Sequence, residues 1–200
     1  MMSENTLLQR AMTVLGERLP PDWNVAFTQE RGSPERGIDG VLTFIAPDER
    51  RGVSQVQVKT RLDPKLAKEL GSRAGITPPT VIIAPWMSTT TLDLLREQGL
   101  GWVDATGAVR LVLPQPGLFV ETEGAAQNPW PDTSRVTLRG AKAARIVKAL
   151  CQVHLPVGIR ALAQRAGTSP GYVSKLVHML DRQAAVRRTA DGQVGEVDLQ

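Results

Sequence analysis

Residues 168–183, TSPGYVSKLVHMLDRQ, decide how the chain is read. A Ser or Thr opens the stretch as a helix cap, Pro170 suits a first helical turn, and Val173, Leu176, Val177 and Leu180 recur at the spacing of a one-sided helix. Immediately upstream, IRALAQRAG (159–167) places Ile159, Leu162, Ala163 and Ala166 on a short apolar stripe that ends at Gly167, the residue suited to a left-handed turn. Further upstream, GAKAARIVKALC (140–151) repeats the pattern through Ala143, Ile146, Val147 and Leu150, with Lys and Arg between them. Cys151 is expected to be a small core residue on that apolar side. Downstream, AAVRRTADGQVGEVDL (184–199) alternates and turns at Asp191-Gly192, the pattern of a two-stranded hairpin.

Two short helices joined by a Gly turn, the second capped by Ser and Pro, make a helix-turn-helix, and a hairpin directly after it makes a winged helix. Residues 136–200 are therefore expected to form a winged helix-turn-helix domain that binds double-stranded DNA. Candidate contacts are Ser169, Tyr172, Ser174, Lys175 and His178 on the last helix, with Arg187 and Arg188 on the wing. The alternative is a helical protein-interaction domain with a solvated basic face. Charge favours DNA. From Arg135 onward there are eleven Lys or Arg against four Asp or Glu, whereas the preceding residues hold thirteen against sixteen, within an overall charge of +4. Positive charge is concentrated where phosphate contacts need it. DNA binding of this kind requires no cofactor.

At 200 residues the chain has room for two domains with separate cores. No apolar run approaches the roughly 18–20 residues that span a bilayer, and MMSENTLLQRAMTVL lacks the charge and apolar pattern of a secretory signal. A cytoplasmic chain with no membrane partner is expected. One cysteine excludes an internal disulfide, and with His154 and His178 it gives too few ligands for a usual zinc site.

The N-terminal part reads as an α/β layer with a mixed sheet. Leu7, Leu8, Ala11, Met12, Val14, Leu15 and Leu19 define an amphipathic helix ended by Pro20-Pro21. Strands are expected over 23–28, 38–46 and 53–60, in a meander; Ser54 interrupts the alternation of the third. A helix over 64–74, a fully apolar strand over 80–84, a helix over 89–98 and short strands over 100–104, 109–113 and 118–121 complete the order. This domain is taken as 1–124. GAAQNPWPDTSR (124–135) supplies the linker, placed over 125–135, with Trp130 expected to pin it against a domain. Asp104, ahead of Thr106-Gly107, reads as a turn residue.

Asp39 opens the second strand, and Gln57 and Lys59 stand two apart on the third, so the latter two share a face. If the second and third strands pair, Asp39 falls beside them. A carboxylate, an oxygen ligand and a lysine at a sheet edge are what metal-assisted phosphodiester cleavage needs. The oxygens of Asp39 and Gln57 would hold Mg²⁺, and Lys59 would orient the attacking water and offset transition-state charge. The competing reading makes Gln57 and Lys59 the solvated face of an edge strand.

GID (37–39) followed by QVQVK (55–59), inside an α-β-β-β-α-β order, resembles the PD-(D/E)xK nuclease superfamily and its Mrr-like restriction-endonuclease branch. The resemblance implies Asp39 and Gln57 as metal ligands and Lys59 as the catalytic lysine. Gln57 stands where the commonest pattern has an acid, so a further acid is needed, from Glu4, Glu17 or Glu35. Over the longer span, LREQGLGWVDATGAVRLVL (95–113), PWP (129–131), and the helices at 139–151 and 168–182 together resemble bacterial winged-helix proteins of the AbiEi family, antitoxins of type IV toxin-antitoxin systems. That resemblance implies an antitoxin-like transcriptional regulator, autorepressing its own operon. It also implies a toxin or other protein as a partner, and because winged-helix regulators usually bind as dimers, a homodimer on two half-sites of a palindromic operator is expected. The rival implied function is a Mg²⁺-dependent DNA endonuclease targeted by the winged helix.

Overall fold

The computed structural model describes residues 2–29, 37–71, 79–131 and 138–198. Contacts divide the chain between Trp130 and Pro131 into two compact units.

The first unit is a mixed seven-stranded sheet in the order β1 to β7, with helices on both faces. Helix α1 (Glu4–Arg18) is capped by Ser3, whose side chain accepts from the Thr6 N–H, and turns Leu7, Ala11, Val14 and Leu15 inward. Strands β1 (Asn24–Gln29), β2 (Gly40–Ile45) and β3 (Arg51–Val58) form the expected antiparallel meander. The β2–β3 turn is tighter than the sequence suggests. Ala46 N–H donates to the Arg50 carbonyl at 2.9 Å, Glu49 takes φ 65°, and pairing resumes at Ile45 and Arg51. Asp48 closes this turn, and its carboxyl lies below the ordinary carboxylate range because the Arg50 side chain and then the Arg50 backbone N–H donate to it.

Helix α2 (Pro64–Gly71) leads to β4 (Thr80–Ala84), parallel to β3; residues 72–74 of the expected helix lie outside the described residues. Helix α3 (Thr89–Glu97) leads to β5 (Gly101–Asp104), parallel to β4, and β6 (Val109–Leu113) and β7 (Leu118–Thr122) close the sheet antiparallel. Burial of every residue of β4 follows from its central position. Val81 and Ile83 join the core under α1, whereas Ile82 and Ala84 join the core under α2 and α3. Each fully buried Leu, Ile or Phe of these layers contributes about 1.5–3 kcal/mol.

Ser54 does not break the alternation of β3. It is buried in line with Val56 and Val58 on the α1 face, its Oγ without a hydrogen-bond partner among the described residues, and Val53 lies 46% exposed on the opposite face.

The second unit contains α4 (Ala141–Leu150), α5 (Ile159–Ala166) and α6 (Pro170–Arg182), followed by a hairpin of β8 (Val186–Arg188) and β9 (Val194–Val197). Gly167 takes φ 59° and ψ 46°, ending α5 in the left-handed turn that a side chain would strain. One core gathers Ala143, Ile146 and Leu150 of α4, Leu162 and Ala163 of α5, Val173, Leu176 and Val177 of α6, and Val186 and Val194 of the hairpin. Val157, in the α4–α5 connection, exchanges 2.9 Å backbone hydrogen bonds with Val194 in both directions and so ties β9 to the helices. Two expectations fail. Cys151 is exposed, because α4 ends at Leu150 and the next position lies about 100° around the axis, off the buried stripe. Trp130 keeps 50% of its surface exposed instead of pinning the connection.

Candidate functional site

In the second unit the surface of α6 is set by its core. Val173, Leu176, Val177 and Leu180 are buried, which leaves Ser174, Lys175 and His178 on the exposed side. Ser169 is exposed, but its hydroxyl caps α6 by accepting from the Tyr172 N–H at 3.4 Å. Tyr172 is half-buried and packs against the helical core. Arg187 and Arg188 project from the hairpin, yet both are engaged. Arg187 pairs with Glu196 at 3.1 Å, and Arg188 donates to the Gly192 carbonyl at 3.0 Å across the turn. The hairpin is braced further by Asp191, whose carboxyl is held below its ordinary range chiefly by the Thr189 hydroxyl at 2.5 Å. Lys175 and His178 have no such brace among the described residues.

In the first unit the β2–β3 pairing carries Asp39 to the carboxyl end of β3. The Asp39 N–H donates to the Val56 carbonyl at 2.8 Å, and its Oδ2 accepts from the Val58 N–H at 2.7 Å. Asp39 is thereby fixed at the amide between Gln57 and Lys59. Gln57 is 5% exposed and pairs in register with Ile82, so it shares the α2–α3 face of the sheet. Lys59, half-buried, continues the ladder through its N–H to the Ile83 carbonyl at 2.8 Å. Gly40 holds this edge close to β1: a Cβ there would meet the Phe27 ring at 2.5 Å and the Thr28 carbonyl oxygen at 2.6 Å.

The described donors do not fit Mg²⁺. A hard divalent cation takes about six oxygen ligands with carboxylate charge among them, and the expected pair brings one carboxylate, that of Asp39, already bonded to the Val58 N–H, and one neutral amide, that of Gln57. No group of three or more His, Cys, Asp or Glu able to hold a metal occurs among the described residues. Glu4 and Glu17 are exposed on α1, which packs on the opposite face of the sheet from Gln57. Glu35 lies outside the described residues.

A further polar cluster carries no motif in the sequence. Arg96 on α3 donates to Glu121 on β7 at 2.5 Å and to Asp93 at 2.8 Å, and Arg110 on β6 pairs with the other Glu121 oxygen. The two guanidiniums lie 5.4 and 5.7 Å from the Trp102 ring centroid. Arg96, Glu121 and Trp102 border a cavity of about 530 Å³ also lined by Trp86, Met87 and Leu92. Strand alternation could have put Arg110 and Glu121 on one face, but Arg96 joins them only through the packing of α3. Asp104, buried nearby, is a turn residue: its Oδ1 accepts from Thr106 N–H and hydroxyl and from Ala108 N–H at 2.7–3.0 Å.

No described helix is long and apolar enough to cross a membrane. The chain matches no protein family, no curated protein and no solved structure.

Proposed function

We propose that the chain is a duplex-DNA-binding transcriptional regulator in which residues 136–200 act as a winged helix and the N-terminal α/β domain is a nuclease-like scaffold. The observation that carries this reading is the face of α6. Its apolar stripe is consumed by the core, its polar side presents Ser174, Lys175 and His178, and a hairpin tied back through Val157 follows at once. A helix presented in this way has the form that enters a major groove, with the hairpin placed against the backbone. The antitoxin-like role, autorepression and a toxin partner follow from the AbiEi resemblance alone. A homodimer on a palindromic operator follows from the symmetry usual for such regulators.

The test is a fluorescence-anisotropy titration of labelled duplex DNA with the full chain, beside Lys175→Ala. Replacing the lysine should weaken binding and flatten the plot of log affinity against log salt by about 0.9. Equal affinity and equal slope in the variant would remove α6 from the interface.

A Mg²⁺-dependent endonuclease is the second reading, favoured by the fixing of Asp39 at the amide between Gln57 and Lys59. It requires a further acidic ligand. Nicking of supercoiled plasmid that is lost in Lys59→Ala would establish it, and intact plasmid in both samples with retained DNA binding would leave the scaffold reading.

A further inference from the structure

We infer that the solvent face of α4 is a second DNA-contacting surface, on which Arg139, Lys142, Arg145 and Lys148 hold the phosphate backbone while α6 occupies the groove. The inference rests on the DNA-binding reading above.

Helix α4, AKAARIVKAL, contains three cations and no acid. Ala143, Ile146, Ala149 and Leu150 are buried, and Lys142, Arg145 and Lys148 lie exposed at three-residue steps, with Arg139 exposed just ahead of the helix. Like charges at this spacing oppose helix formation, and cations at a helix start oppose the macrodipole. The start of α4 is also without a side-chain cap, since Gly140 occupies that position. Nothing within the described fold offsets these charges. None of the four makes an ion pair or side-chain hydrogen bond among the described residues, whereas Asp191 is bonded to Thr189 and Gln193, Glu196 to Arg187, and Asp181 and Asp198 also have partners. The arginines of the hairpin are tied down. Those of α4 are not.

An anion on this face relieves both oppositions at once. The stripe from Lys142 to Lys148 runs about 9 Å at 1.5 Å per residue. Phosphates follow one another every 3.4 Å of axis along one DNA strand, so long flexible side chains on such a stripe reach two to three of them. Charge complementarity of this kind selects a phosphate backbone and carries no base sequence, which suits a positioning contact beside a reading helix.

The experiment uses the full chain with Lys142→Gln, Arg145→Gln and Lys148→Gln combined, titrated against a labelled 30-base-pair duplex of arbitrary sequence between 50 and 200 mM salt. These side chains are exposed, and a thermal melt by circular dichroism at or above the parent's confirms that the variant folds. The expected result is a log–log salt slope shallower by about 1.8 to 2.7, at −0.9 per phosphate released, with the loss equal on unrelated sequences. A slope equal to that of the parent, with Lys175→Ala still weakening binding, overturns the inference and leaves α6 as the DNA surface. A parent chain with no salt-dependent binding to duplex DNA overturns both.

Discussion

The Asp39 carboxylate accepts the backbone N–H of Val58 at 2.7 Å, while the Asp39 N–H donates to Val56 at 2.8 Å, so one residue closes the end of the β2–β3 ladder from both sides. The side chain thereby does the work of one more strand residue. Asp39→Ala leaves the part-buried Val58 N–H unpaired and should lower stability by about 1–3 kcal/mol. Urea unfolding would show a lower midpoint at an unchanged slope, and a midpoint equal to the parent's would mean that the amide finds water instead.

Gly40, the next residue, tests how tightly that edge is held. A methyl group there has the Phe27 ring and the Thr28 carbonyl within 2.6 Å, and backbone cannot swing aside as a side-chain tip can. Gly40→Ala should cost about 1–3 kcal/mol. Amide exchange should accelerate along β1 and β2, and exchange as slow as in the parent would contradict the close approach.

Gly167, at φ 59°, makes the left-handed turn that ends α5 ahead of α6. Any L side chain at this backbone position is strained, so Gly167→Val should destabilise the second unit by at least about 1–2 kcal/mol. The value measured by thermal unfolding should exceed that for Gly171→Ala, because Gly171 has a helical position with open space around its Cβ.

Leu176 has no exposed surface and touches the centre of the second core. Leu176→Ala should cost about 2–5 kcal/mol through lost burial and the cavity left behind. If α6 carries the DNA interface, binding should fail with the fold of this unit, and strong binding by a chain whose second unit has melted would contradict the proposed interface.

Glu121 makes stability sensitive to acid. Its carboxyl sits below the ordinary glutamate range, first through the hydrogen bond from Arg96 and then through that from Arg110. A depressed carboxylate contributes stability that is present above its unfolded value, about 4.3, and is lost as pH falls through the lower folded value. The parent should therefore lose stability below about pH 4.3 more steeply than Glu121→Gln. The substitution should cost about 1 kcal/mol or less at pH 7, since both ion-pair partners reach solvent. Parallel stability curves for the two proteins over pH 3–5 would contradict this.

Periodicity alone determined most of the elements. The alternation of β2, the unbroken apolar run of β4, and the apolar stripes and caps of α1 and α6 are local patterns, and a local pattern reports which face of an element is buried whatever it packs against. Gly167 and the Asp191-Gly192 turn were legible for the same reason: φ above zero restricts residue type at a single position. Ser54 is buried where a composition rule, polar out, competes with the geometric period, and Cys151 is exposed because α4 ends one residue before it. What only the tertiary structure decided are relations between elements distant in sequence. These are the Asp39–Val58 hydrogen bond, the bridge from Val157 to Val194, the meeting of Arg96, Arg110, Glu121 and Trp102, and the engagement of the hairpin arginines while the cations of α4 have no partner among the described residues. Each depends on strand register or helix packing, which is set by the sum of many contacts and is written in no single stretch of the chain.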